Sequence, residues 1–106
     1  MKKPVFVSAQ DAAATIGDGK TVATIGMTLV SASETILKAI EKRFLETGSP
    51  NQLTLVHSCG QSDRDRGIQH FSHDGMLKCI IGGHWGLQPR MMKMIAENKM
   101  LAYCLP

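Results

Sequence analysis

The sequence has few of the features that mark exported or membrane-bound proteins. Its three cysteines cannot all pair within one chain, and none lies in a CxxC arrangement. The N-terminal stretch MKKPVFVSAQ has no apolar run long enough for a signal peptide, and no segment reaches membrane-spanning length. These absences predict a soluble protein of a reducing, cytoplasmic compartment with no membrane partner.

Aromatic residues and runs of one charge sign are also scarce. The twelve basic residues are scattered, with no run longer than two and no aromatic residues between them, so a nucleic-acid partner has little support. A net charge of +3 suits an anionic small molecule at least as well. With 43% apolar and 20% charged residues, 106 residues predict one globular domain with a modest core.

What is present is a regular alternation of helix-like and strand-like segments. Ser8 and Asp11 have the spacing of a capping box, as do Ser31 and Glu34. Pro89 suits the first turn of a helix, and Gly48 suits the end of one. The pattern predicts helices at 9–16, 33–47 and 89–98, and strands at 21–25, 53–56, 78–81 and 100–105. This order predicts an α/β fold with an open, mostly parallel sheet, right-handed crossovers and helices on both faces.

The helix at 33–47 is expected to be amphipathic. Its apolar residues recur on one face: Ile36, Leu37, Ile40, Phe44 and Leu45. Lys38, Glu41, Lys42 and Glu46 fall mostly on the other. The four glutamates of the chain, Glu34, Glu41, Glu46 and Glu97, are therefore expected to be solvated rather than nucleophilic.

The chain stops directly after the apolar strand at 100–105, which is expected to be buried and central. A domain rarely ends on such a strand, so the sequence predicts part of something longer. A different hypothesis is that the chain is an assembly partner, and that another chain pairs with its exposed last strand.

Glycine-containing segments follow each of the first three predicted strands. These segments are Gly26-Met27, Cys59-Gly60-Gln61 and Gly82-Gly83-His84-Trp85, and a densely polar loop lies between the last two. In open α/β sheets ligands bind beyond the carboxyl ends of the strands, where loops and helix N-termini converge. This edge is therefore the predicted ligand site, although a plain turn explains Gly26 equally well.

Each of these residues also has an alternative interpretation. Cys59 could be a nucleophile with His57 or His84 as base, but a small buried side chain is favoured. His70 and His73 form the one plausible metal-ligand pair, and hydrogen bonds to Asp63, Asp65 or backbone carbonyls are favoured over a metal. Trp85 could close the core, with His84 capping the next helix, instead of lining a pocket.

Three strings in this order carry a resemblance to a known family. AIEKRFLETGSP, GQSDRDRGIQHFSHDGMLK and IIGGHWGLQPRMMKMIAENKMLAY resemble the N-terminal part of family I CoA-transferases, specifically the long single-chain acetate or propionate branch. The similarity runs from about Val7 to the last residue. The segment Gly26-Met27-Thr28 departs from the glycine-rich or Gly-Phe sequence of many relatives, which bears on the choice of acid.

The resemblance implies a function and a set of binding residues. Residues 1–106 would be the N-terminal portion of the first α/β domain, which is an incomplete CoA-transferase-like half domain. The rest of the parent protein would supply the nucleophilic glutamate. That parent would move CoA between a short-chain acyl-CoA and a small carboxylic acid through a glutamyl-CoA thioester. It would need no cofactor beyond the CoA thioester substrate, and it would be a homo-oligomer.

On this interpretation the chain itself holds no catalytic residue and no metal ligand, and it would be inactive alone. The residues carried over as substrate-binding are Gly26, Met27, Gly60, Gln61, Gly83, His84 and Trp85. A free-standing sensor domain of the same fold, binding an acyl-CoA or a phosphorylated small molecule, remains the alternative function.

Overall fold

A computed structural model describes residues 3–106, in which helices and strands alternate as the sequence predicts. The elements are α1 (Ala9–Ala14), β1 (Thr21–Thr24), α2 (Glu34–Thr47), β2 (Leu53–His57), a 3₁₀ helix (Gly67–Phe71), β3 (Leu77–Gly82), α3 (Pro89–Ala96) and β4 (Leu101–Cys104). Every predicted helix and strand is present, and the bounds differ by one or two residues. The predicted α/β class is confirmed.

The four strands form one sheet in the order β1-β2-β3-β4, and each neighbouring pair is parallel. Each connection therefore leads from one strand to its immediate neighbour, always toward the same edge of the sheet. Crossovers of a single hand then place all the connecting helices on the same face of the sheet. The core agrees with this arrangement, because buried side chains from α1, α2, the 3₁₀ helix and α3 join those of β2 and β3 in one cluster.

The prediction that helices cover both faces is therefore wrong for the described residues. One row across the sheet, Val22, Leu55, Ile80 and Ala102, packs in or against the core. The next row faces the other way and is half-buried or exposed: Ala23, Val56, Ile81 and Tyr103. The consecutive apolar residues of β2 and β3 do not indicate whether helices cover one face of the sheet or both.

The outer strands also differ from expectation. β1 was expected to be buried and the last strand central, but both are edge strands within residues 3–106. Ile25, placed in the first strand by the sequence, lies just past its end and is 76% exposed, and Leu101 of β4 is 63% exposed.

Most helix ends follow their local sequence. Ser8 Oγ accepts a hydrogen bond from the Asp11 N–H at 3.0 Å, and Gly48 ends α2 with a left-handed φ of 77°. The capping box predicted from Ser31 is wrong. The N-cap of α2 is Ser33, whose side chain makes no capping bond, and the Glu34 carboxylate instead accepts from Gly67 N–H at 2.9 Å.

Candidate functional site

The loops that follow β1, β2 and β3 meet at the carboxyl edge of the sheet. Thr28 N–H donates to the Gly60 carbonyl at 2.6 Å, and the Ser58 hydroxyl donates to the Gly26 carbonyl at 3.1 Å. A Cβ atom built on Gly83 would lie 3.2 Å from Cys59 Cα, so the second and third loops touch through their backbones. The seven residues predicted to bind substrate therefore belong to three loops in mutual contact.

The first loop turns sharply at Gly26. Its φ is 149°, and a Cβ atom there would lie 2.9 Å from the Val30 carbonyl oxygen, so no side chain fits. Met27 follows and is 61% exposed, which places a flexible apolar side chain at this edge. The loop is thus held by backbone contacts, while the Met27 side chain stays largely exposed.

Gln61 has a different position from the one expected of a side chain that contacts a ligand. It is fully buried, and its Nε2 donates to the Thr24 carbonyl at 3.1 Å. Its Oε1 lies buried without a protein hydrogen-bond partner. Gln61 therefore ties the second loop to the end of β1 from inside the fold.

Two histidine rings lie against two glycines across the second and third loops. A Cβ atom on Gly60 would come within 2.6 Å of His84 Cε1, and one on Gly82 would overlap the His57 ring. His84 of the third loop thus rests on Gly60 of the second loop, and His57 at the end of β2 rests on Gly82 at the end of β3. Only a residue without a side chain leaves that space.

Trp85 joins the core and makes a specific hydrogen bond at the same time. Its half-buried ring packs against the core cluster, and its indole Nε1–H donates to His57 Nε2 at 3.0 Å. His84 does not cap α3, as one interpretation held; its Nδ1 accepts from Gly86 N–H at 3.2 Å, and the N-cap of α3 is Gln88. The exposed His84 ring lies against Gly60 of the second loop.

His57 is a site residue that the sequence indicated only as a possible base. It is 6% exposed, and its Nδ1 lies 2.6 Å from the Ser58 carbonyl and 3.1 Å from the Cys59 carbonyl. Burial lowers the pKa of His57 below its ordinary value, and the nearby His84 lowers it further, against the opposing effect of the two carbonyls. The sequence feature that could have indicated His57 is its place at the end of β2, next to the glycines Gly82 and Gly83 at the end of β3.

Neither cysteine chemistry nor a metal ion finds support among residues 3–106. The Cys59 thiol makes a long contact with the Gly26 carbonyl, with Sγ at 3.6 Å, and both nitrogens of His57 are already engaged. Within the described residues, no group of three or more histidine, cysteine, aspartate or glutamate side chains could hold a metal ion.

The histidines of the polar loop bind glutamates of α2 instead of the aspartates or backbone carbonyls predicted for them. His70 Nε2 lies 2.8 Å from Glu34 Oε2, and its Nδ1 lies 2.9 Å from Glu41 Oε1. His73 Nε2 lies 2.8 Å from the other Glu41 oxygen. The expectation that Glu34 and Glu41 are solvated is wrong, because they anchor the 3₁₀ helix to α2.

The electrostatics of Glu41 follow from these contacts. Burial alone raises the pKa of Glu41, but the hydrogen bonds from His73 and His70 and the attraction of their charge outweigh it. The pKa of Glu41 therefore lies below its ordinary value of 4.5. A lowered carboxyl pKa contributes stability in full above pH 4.5, and that contribution is lost as the pH falls through the folded pKa.

We expect Glu41→Gln to lower the free energy of unfolding by about 2 kcal/mol near pH 7, because both histidines lose a charged partner. Urea unfolding at several pH values measures this, and the difference from the unmodified chain should shrink as the pH falls below 4.5. Glu46→Gln is the matched control on the same helix, since Glu46 makes only an exposed pair with Lys42 at 4.0 Å. Equal losses in the two variants would contradict the role given to Glu41.

Asp63, two residues after Gln61, is held in place by hydrogen bonds. The Asp63 carboxylate accepts from the Arg66 backbone N–H at 2.8 Å and from its guanidinium at 2.6 and 2.9 Å. These bonds, the backbone one first, lower the pKa of Asp63 to about 2. Asp63 therefore stays ionised and braces the loop.

A groove of about 850 Å³ lies elsewhere, along α1 and α2. Its lining includes Ala9, Ala39 and Lys42 and shares none of the seven predicted substrate-binding residues. Size alone does not make it the functional site, because the converging loops and the engaged histidine lie at the sheet edge.

The fold and the site together define a class of protein. In open parallel α/β sheets, the carboxyl edge at which such loops converge is the usual place for a small-molecule site. No helix among the described residues is both long and apolar enough to cross a bilayer. No protein-family model matches the chain.

The chain is similar in sequence to part of known CoA-transferases. It is 32% identical over 102 residues to the acetate CoA-transferase YdiF of Escherichia coli K12, a match covering 94% of this chain and 19% of that protein. It is 35% identical over 102 residues to the caffeate CoA-transferase of Acetobacterium woodii, covering 95% of this chain and 20% of that protein. The resemblance seen in the sequence is confirmed, and the chain spans about a fifth of the length of these relatives.

Solved structures give the same result. The crystal structure of YdiF from E. coli O157:H7 in a thioester complex with CoA matches with a TM-score of 0.85 and 33% identity, over 94% of this chain and 20% of that one. The YdiF apoenzyme matches with a TM-score of 0.86 and 31% identity, over 100% of this chain and 22% of that one. The sheet described above is therefore a fold shared with CoA-transferases.

Proposed function

We propose that this chain is the N-terminal portion of the first α/β domain of a CoA-transferase and forms one wall of its acyl-CoA site. The parent enzyme would move CoA between a short-chain acyl-CoA and a free carboxylate such as acetate or propionate. The observation that carries the proposal is the contact among three glycine-containing loops in a chain whose relatives are CoA-transferases. The name of one relative supports acetate, and the name of another, caffeate, shows that acids of different size occur among them.

The residues would divide into two roles. Gly26 lets the first loop turn back on itself, Gly60 leaves room for the His84 ring, and Gly83 lets the third loop approach the backbone of the second. Met27, His84 and Trp85 present side chains at the edge. Gln61 would not contact the substrate and would instead fix the second loop to β1 from inside the fold. A glycine-rich wall of this kind suits a thioester, because close backbone approach lets N–H groups stabilise charge on its carbonyl oxygen.

The nucleophile would lie outside this chain. A thioester intermediate on a glutamate needs a free carboxylate at the reacting carbonyl. Glu34 and Glu41 are occupied by histidines, Glu46 pairs with Lys42 on the exposed side of α2, and Glu97 follows α3. We therefore propose that the chain alone is inactive and that no cofactor other than the CoA thioester itself is required.

The test is an assay of CoA transfer from acetyl-CoA to propionate, followed as propionyl-CoA by liquid chromatography and mass spectrometry. We expect transfer by the protein translated from the complete coding sequence that contains these residues, and none by the chain alone. Transfer by the chain alone would refute the placement of the nucleophile. If the complete protein binds acetyl-CoA without transferring CoA, the sensor interpretation replaces the enzyme.

A further inference from the structure

The second and third loops are joined by a single buried imidazole. His57, the last residue of β2, rests on Gly82 at the end of β3 and accepts a hydrogen bond from Trp85, beyond it. Its other nitrogen faces the Ser58 and Cys59 carbonyls of its own loop. The ring thus contacts both loops of the proposed wall through separate atoms.

These partners determine which nitrogen carries the proton. A carbonyl oxygen only accepts hydrogen bonds, so His57 Nδ1 must carry a hydrogen to bond at 2.6 Å. An indole N–H only donates, so His57 Nε2 must be bare to accept from Trp85 at 3.0 Å. The neutral ring with hydrogen on Nδ1 is therefore the one form that satisfies every contact.

Protonation would break the hydrogen bond from Trp85 to His57. A hydrogen on Nε2 would face the indole N–H, so the bond to Trp85 would be replaced by repulsion between two donors. His84, on the third loop, is the titratable group whose charge acts on His57 from across the interface, and it opposes a second positive charge. On its own loop, Cys59 contributes its carbonyl oxygen and not its thiol.

We propose that neutral His57 is a positioning residue that holds the second and third loops together, and that its protonation releases Trp85 and weakens substrate binding at this edge. The link to substrate rests on the proposed function, whereas the link to Trp85 does not. The geometry is supported by the lowered pKa of His57, whose first cause is burial. Stability from a histidine with a lowered pKa is complete above its ordinary value of 6.5 and is lost as the pH falls toward the folded pKa.

The single tryptophan of the chain makes the test direct. In protein labelled with ¹⁵N-tryptophan, we expect the indole N–H resonance to move with pH along one titration whose midpoint lies below 6.5. His57→Gln should abolish that movement, because an amide oxygen can accept from the indole but does not titrate. His73→Gln is the control, since His73 bonds to Glu41 and should leave the titration unchanged.

A second measurement needs no variant. Long-range ¹H–¹⁵N spectra of the imidazole nitrogens should show His57 neutral near pH 7 with hydrogen on Nδ1. The opposite tautomer, a doubly protonated ring, or an indole resonance that ignores the pH would each overturn the proposal. These spectra also decide the matter if His57→Gln does not fold.

The proposed effect of His57 on substrate binding is tested by kinetics of the complete protein. Between about pH 7.5 and 5.5 we expect the KM for acetyl-CoA to rise roughly threefold or more, with kcat changing less, and this rise to be lost in His57→Gln. A titrating indole with an unchanged KM would overturn the role in binding. If the complete protein transfers no CoA at all, the proposed function fails, while the indole titration still decides whether His57 holds Trp85.

Discussion

Gly67→Ala is expected to lower the free energy of unfolding by about 3 kcal/mol or more, since it combines a strained backbone with steric overlap and a lost hydrogen bond. Gly67 begins the 3₁₀ helix with a φ of 73°, and a Cβ atom there would overlap the Gln61 carbonyl oxygen. That oxygen cannot move away freely, because it accepts from Ile68 N–H at 2.8 Å. The same substitution pushes the Gly67 N–H away from Glu34 and loosens the cluster around His70.

Gly75→Ala is the matched control for this prediction. Gly75 has a similar φ of 84°, but a Cβ atom there would meet nothing within 4 Å, so only the backbone strain of about 1 kcal/mol is expected. Urea unfolding followed by Trp85 fluorescence measures both variants on one scale. A Gly67→Ala loss no larger than that of Gly75→Ala would show that the contact with Gln61 is unimportant.

Gly82→Ala is expected to cost about 2–3 kcal/mol, because the new methyl group must displace a ring that is buried and bonded on both nitrogens. The nearest atoms are Nε2 and Cε1 of His57, so the displaced bond would be the one to Trp85. We therefore also expect a change in the Trp85 emission of the folded protein. Equilibrium unfolding and the native-state spectrum together measure the effect.

Two comparisons make the Gly82 prediction specific. Gly60→Ala also places a methyl group against a histidine ring, but His84 is exposed and can swing aside, so its cost should stay below about 1 kcal/mol. In a His57→Ala background the Gly82→Ala cost should fall by about 1–2 kcal/mol, which a double-mutant cycle measures. Additive losses in the cycle would mean that Gly82 does not act through His57.

Local sequence predicted the elements well because their causes are local. A serine that bonds the N–H three residues on, a proline in a first turn and a glycine after a last turn act within one helix end. The three strand ends were recognised by glycines that interrupt apolar runs. Since parallel strands bring their carboxyl ends to one edge, the meeting of Gly26, Gly60 and Gly83 followed from the fold class.

Errors arose where a residue finds its partner at a distance along the chain. Glu34 was assigned to a capping box with its neighbour Ser31, but it bonds Gly67 and His70, more than thirty residues away. Glu41 was placed on a solvated face, although two histidines of the polar loop cover it. Such pairings depend on how the 3₁₀ helix packs on α2, which no spacing within α2 indicates.

The sequence by itself determined the class of fold, the order of the elements, the edge where the loops converge and the resemblance to CoA-transferases. It did so because hydrophobic period, helix caps and turn glycines are properties of neighbouring residues. Only the tertiary structure decided that one face of the sheet is covered, that Gln61 lies inside the fold, and that His57 links Trp85 to the second loop. These depend on contacts across the sheet, where burial and the matching of single donors to single acceptors select one arrangement from many.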